Sequence, residues 1–258
     1  MNKHLYRALF AMTLTLLSAC QAKPIETATA TALPTQTSTA SPTASALPSK
    51  TPEPSATPAP TAVPVTPTPS YSYPESHYIA GISGHMQTYE LGCEASAAVD
   101  WAAFFGVSIF ESVFQYSLPL SDNPDYGYVG EVTTDAWGQI PPYAYGVHAA
   151  PIADALVAFD LPAKAVTGYT IEDVKRDLAD NKPIIAWVIG NMEYSEPVEY
   201  VDAQGRSALV APYEHVVILT GYNQTNLRYM NNGKFYETPI EVFLTSWGVL
   251  GNMAVIYE

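Results

Sequence analysis

From Gln21 to about Ser70 the chain offers almost nothing to bury. Thr, Ala, Ser and Pro dominate, and 12 of the 22 prolines fall between Gln21 and Glu75. Ordering such a stretch loses conformational entropy with no compensating burial. Spaced prolines favour extended polyproline II, so about fifty residues at ~3.1 Å each reach on the order of 100 Å. The expectation is a stalk whose Ser and Thr side chains suit O-glycosylation. The fold must then come from residues 75–258, a length that suits one domain with a sizeable core.

The first twenty residues read MNKHLYRALFAMTLTLLSAC. Lys3 and Arg7 give a positive start, and the apolar run Ala8–Leu17 is far shorter than the ~20 residues of a membrane-spanning helix. This describes a secretory signal, with an uncleaved anchor as the alternative. Its end, Leu17-Ser18-Ala19-Cys20, resembles a bacterial lipobox, in which the cysteine takes a diacylglycerol. The expected organisation is therefore a lipoprotein signal over 1–20, a disordered stalk over 21–74 and a folded domain over 75–258. The expected location is the extracellular face of the bacterial cell membrane, with the membrane as partner through a lipid at Cys20.

Lipidation also changes the cysteine arithmetic. The chain has two cysteines, and with Cys20 acylated Cys93 is a lone thiol in an exported protein, which points to intermolecular pairing or reactivity. From residue 75 onward, 7 Lys and Arg face 23 Asp and Glu. So acidic a surface repels nucleic acid at long range, and no nucleic-acid partner is expected.

Within the domain, CEASAAVDWAAFF (Cys93–Phe105) is Ala-rich and stops at Gly106, which reads as a buried helix. A second helix is expected over Ile109–Tyr116, then a long Pro-, Gly-, Asp- and Tyr-rich loop, functional or lid-like by its length. Pro151–Phe159 has helical spacing. Thr170 with Asp173 reads as a capping box opening a helix to about Asn181. Lys182–Gly190 and His215–Asn223 read as buried strands separated by a mobile insert, and Leu227–Asn231 as a strand after a turn at 224–226. IEVFLTSW reads as a helix and NMAVIYE as a closing strand. Helices followed by an antiparallel sheet make the class α+β.

Acyl transfer by a thiol needs an ionisable sulfur, a base and an oxyanion donor. Cys93 opens a helix, where the dipole favours the thiolate; Glu94 works against that unless it points away. His215 heads a rigid strand. Gln87, six residues before Cys93, can return an amide to the sulfur, and the Cys93 N–H at the helix start is free to donate.

The order Gln87-x5-Cys93, a HVVILTGYN strand headed by His215, and a polar residue ending the next strand resembles the papain-like C39 peptidases, specifically their stand-alone C39-like group. The resemblance runs from about His85 to the C-terminus and includes PPYAYGVHAAPIADAL and NKPIIAWV. It implies a papain-like cysteine peptidase fold, with Cys93 as nucleophile, His215 as general base and acid, and Gln87 as oxyanion donor. The family's third member is usually an aspartate; here LRYMNNGKF offers Asn231, with Asn232 as the alternative. An asparagine can still orient the imidazole. The Glu94-Ala95 pair also departs from the glycine-proline found in many relatives.

The implied activity is a surface-anchored cysteine peptidase or amidase acting on peptide or cell-wall peptide. The alternative is an inert domain of the same fold that binds peptide or glycan. Other motifs carry less. DNPDYGYVGE lacks oxygen ligands at Pro124 and Tyr126 for a calcium loop. Asp122, Asp125, Glu131 and Asp135 show no pairwise glycosidase spacing. His85 reads as a loop histidine, and Tyr126, Tyr128, Tyr143 and Tyr145 as groove-lining or packing residues. No CxxC or HExxH spacing occurs, and no metal or cofactor is expected.

Overall fold

A computed structural model describes residues 72–258; the signal-like segment, Cys20 and nearly all of the proline-rich stretch lie outside the described residues. The elements are β1 (His77–Tyr78), α1 (Cys93–Phe104), α2 (Glu111–Ser117), α3 (Ala149–Ala158), β2 (Ala163–Val166), α4 (Ile171–Ala179), β3 (Ile184–Ile189), β4 (Val198–Val201), β5 (Ser207–Val210), β6 (Glu214–Tyr222), β7 (Asn226–Asn231), β8 (Lys234–Pro239), α5 (Ile240–Gly248) and β9 (Ala254–Tyr257). This is the expected α+β class. One antiparallel sheet runs β2-β9-β3-β6-β7-β8, with β1 added against β6; β4 and β5 form a separate hairpin.

Central strands are apolar because both faces are covered. Every residue of β3 is buried, and β6 is buried except at His215. Helix α1 lies against β6, and α5 against β3. The Ser246 hydroxyl accepts from Ile189 N–H at 2.8 Å, fixing α5 to the sheet. Three tryptophans, Trp101, Trp187 and Trp247, are fully enclosed. Each indole N–H finds a carbonyl: Pro183 at 2.7 Å, Val147 at 3.0 Å and Met253 at 2.8 Å. Large aromatic area is buried this way without an orphan donor.

The expected capping box is present: Thr170 Oγ1 accepts from Asp173 N–H at 3.1 Å, and Asp173 accepts from Thr170 N–H at 3.2 Å. The insert before β6 is more ordered than expected, since Val198–Val201 pairs with Ser207–Val210. The long loop before α3 is also tied down. Buried Asn123 donates to Asp202 at 3.1 Å, and Tyr128 donates to the Leu91 carbonyl at 2.6 Å. Its tyrosines divide: Tyr128 and Tyr145 are buried, while Tyr126 and Tyr143 are exposed. Its carboxylates serve the loop itself, with Asp125 on His148 Nδ1 at 2.6 Å and Asp135 accepting from Glu131 N–H at 2.7 Å.

Candidate active site

Cys93 is the first residue of α1, after Gly92. A residue at that position has no intrahelical acceptor for its N–H. One strand supplies the facing groups. Side chains alternate along β6, so Glu214 and Val216 turn toward α1 and the sulfur, and His215 turns into a cavity of about 270 Å³. Cys93, His215, Gln87, Asn231 and Asn232 all line that cavity. Five positions spread over 145 residues of sequence thus meet at one place.

The turn after β7 separates the two asparagines. Asn231 pairs with Lys234, leaving Asn232 and Gly233 as a two-residue hairpin loop with φ of 51° and 69°. Asn-Gly favours such double-left-handed turns. Strand-end Asn231 reaches across the sheet, and its Oδ1 lies 3.0 Å from His215 Nε2. Turn residue Asn232 instead accepts from the Gln87 backbone N–H at 3.0 Å. Gly233 sits so close to the loop that a Cβ there would lie 2.7 Å from the Gly84 carbonyl oxygen.

The Gln87 amide donates to the Tyr89 and Glu90 carbonyls at 2.7 and 3.0 Å, so it braces its own loop. That loop is strapped to the helices by His85. Its Nδ1 meets Asp100 at 2.7 Å and its Nε2 meets Glu111 at 2.9 Å, while Thr88 Oγ1 donates to Glu111 at 2.6 Å. Burial opposes the charge on His85, but hydrogen bonds to the two carboxylates outweigh it and raise its pKa. His85 is therefore a brace, a role beyond that of a plain loop histidine, and Asp100 and Glu111 are partners that local sequence did not reveal. Trp137, from the long loop, also borders the cavity. It lies 6.2 Å from the His215 ring at 70° and donates to the Glu214 carbonyl at 2.6 Å.

The electrostatics differ from a preformed thiolate–imidazolium pair. Glu94 points inward: the Cys93 thiol donates to its Oε2 at 3.3 Å, and Val147 N–H donates to its Oε1 at 2.7 Å. Burial pushes the Cys93 thiol well up, and the charges of Glu94 and Glu214 add to this, against a lowering contact with Val216 N–H. Burial raises Glu94 to about 7, and burial with the charge of Glu94 raises Glu214 well above the carboxylate range. Burial lowers His215, partly offset by Asn231. Burial first, and then the two neighbouring carboxylates, thus oppose the ionisation that the helix start favours.

The sequence matches the family model of the Peptidase C39-like family over residues 72–255. Among solved structures, a protein from Bacillus anthracis described as a C39-like peptidase superposes with a TM-score of 0.63 at 19% identity, covering 72% of this chain and 98% of that one. Xylellain, a cysteine protease from Xylella fastidiosa, gives a TM-score of 0.43 at 14% identity, covering 72% and 87%. A double-glycine motif protease from an AMS/PCAT transporter, solved with a leader peptide, gives 0.39 at 16%, covering 70% and 96%. No curated protein sequence matches the chain.

Proposed function

The chain belongs to the C39-like peptidase family, and from that premise we propose that it is a cysteine peptidase or amidase acting on peptide substrates by Cys-His acyl transfer. The observation that carries this reading is the shared cavity lined by Cys93, His215 and Asn231, with His215 Nε2 on Asn231 Oδ1 at 3.0 Å. Asn231 Oδ1 accepts, so the neutral imidazole keeps its proton on Nε2 and leaves Nδ1 as the basic nitrogen.

In the proposed reaction the Cys93 sulfur attacks the scissile carbonyl carbon while its proton passes to His215 Nδ1. At rest the thiol donates to Glu94 Oε2, so the transfer needs the sulfur to turn from that carboxylate into the cavity that Cys93 and His215 both line. The Cys93 N–H and the Gln87 amide, once released from the Tyr89 and Glu90 carbonyls, stabilise the oxyanion. The C–N bond breaks as His215 returns the proton to the leaving amine. Water then cleaves the thioester and restores the thiol. The proposed setting is the outer face of a bacterial membrane, with a lipid on Cys20, a proline-rich stalk and peptide or cell-wall peptide as substrate.

One observation favours a second reading. A thiol donating to Glu94 and raised by two buried carboxylates suits an inert domain that binds peptide or glycan. Chelator-treated protein incubated with a mixed peptide library and read by mass spectrometry separates the two. Cleavage lost in Cys93→Ser supports the peptidase; peptide retention with no cleavage in either protein supports the binding domain.

A further inference from the structure

The proposed reaction gives Glu94 and Glu214 no part, yet both are almost completely buried, at 1% and 2% exposure. One atom each from Cys93, Glu94 and Glu214 lie within 4.8 Å of one another. Among the described residues neither carboxylate has an ion-pair partner, and Glu214 Oε1 has no hydrogen-bond partner at all. A buried, unpartnered carboxylate oxygen is a costly arrangement that calls for a proton or a cation.

We propose that Cys93, Glu94 and Glu214 form a binding site for one thiophilic divalent cation of the zinc class. The donor set is one sulfur and two carboxylates. Zinc takes both, at about 2.3 Å to sulfur and 2.0–2.2 Å to oxygen in tetrahedral geometry, which places ligand atoms of one site roughly 3–4 Å apart. Calcium and magnesium require oxygen ligands throughout and do not suit a thiolate. The groups behind the site orient it: Val147 N–H on Glu94 Oε1 leaves Oε2 turned to the sulfur, and such a hydrogen bond fixes the direction of a metal-binding carboxylate. Gly146 keeps the space open, since a Cβ there would lie 2.0 Å from Glu94 Oε1 and 3.4 Å from Glu214 Oε2. Of the three donor residues, Cys93 also lines the cavity that holds His215, so the site borders it. On binding, the S–H proton leaves to solvent and the sulfur–metal bond takes its place. Occupancy removes the nucleophile that the proposed peptidase reaction needs, so the cation is an inhibitor of that reaction.

The test is cadmium, a zinc surrogate with a thiolate charge-transfer band in the ultraviolet, titrated into chelator-treated full chain alongside calorimetry with zinc. The expected result is one ion per chain, a cadmium band absent in Cys93→Ser, and affinity at least about tenfold weaker in Glu94→Gln and Glu214→Gln. The exposed variant Glu172→Gln binds unchanged. Circular dichroism verifies that each variant is folded. Wild-type protein supplies a check that needs no variant: zinc slows alkylation of Cys93 by iodoacetamide, and chelator restores it. No cadmium band in folded wild type, alkylation indifferent to zinc, or undiminished affinity in both folded glutamine variants overturns the site. Because binding is read without substrate, a chain that cleaves peptide yet shows no band loses only this site, and one with the band but no cleavage loses only the peptidase reading.

Discussion

His215 Nε2 and Asn231 Oδ1 lie 3.0 Å apart across β6 and β7, while Asn232, one residue further on, is turned away by the Asn-Gly hairpin to hold the Gln87 backbone. The two asparagines therefore have separable roles. Asn231→Ala is expected to lower kcat/KM by about 10²-fold through loss of the tautomer and ring orientation. Asn231→Asp keeps the geometry and adds a charge that favours imidazolium, so activity persists with the acid limb of its pH–rate profile moved upward. An Asn232→Ala loss equal to that of Asn231→Ala would contradict this division.

Cys93 is held as a thiol. Burial and the two carboxylates raise its pKa, so in chelator-treated protein its alkylation by iodoacetamide at neutral pH is expected to be slower than that of free cysteine and to climb as pH rises. His215→Ala is expected to change this rate little, because the ring does not hold the resting sulfur ionised. Fast alkylation at pH 7 that collapses in His215→Ala would instead reveal an ion pair.

His85 links stability to pH. Its folded-state pKa is raised above the ordinary 6.5, so its contribution is fully present below about that value and is lost as pH rises through the folded value. Its side chain is 42% exposed, so screening keeps the effect small. The expected outcome is that His85→Gln lowers the melting temperature more at pH 5.5 than at pH 9. An equal deficit at both values would remove the imidazolium bridge from the account.

Gly146 has φ of 113°, and a Cβ there would meet Glu94 Oε1 at 2.0 Å. Gly146→Ala is expected to cost about 2 kcal/mol or more in chemical denaturation, from the backbone conformation and the overlap together. A neutral effect would mean that Glu94 does not occupy the position described.

Much of the fold was legible because its periodicities are local. The Ala-rich helix after Gly92, the Thr170–Asp173 capping box and the apolar runs of β3 and β6 announce themselves within a dozen residues. Five elements did not. β1 and β2 have only two and four residues, and in β4–β5 only Ala208 and Val210 are buried. β8 is mostly exposed, although Asn232-Gly233 between two strands was a usable hairpin signal. At the site, positions on the sequence pattern gather at one cavity. What the pattern did not carry is the inward turn of Glu94 onto Glu214, 120 positions away, or the His85 bridge between Asp100 and Glu111. Such long-range pairings leave no local periodicity.

The most direct measurement is covalent capture of the nucleophile by a peptidyl vinyl sulfone, whose addition needs both the Cys93 sulfur and a proton delivered to the new carbanion. Mass spectrometry of chelator-treated protein is expected to find the adduct on Cys93, formed at least about 10²-fold faster than in folded His215→Ala. No adduct on Cys93 in folded wild type, or an equal rate in the histidine variant, would contradict Cys-His catalysis at this site.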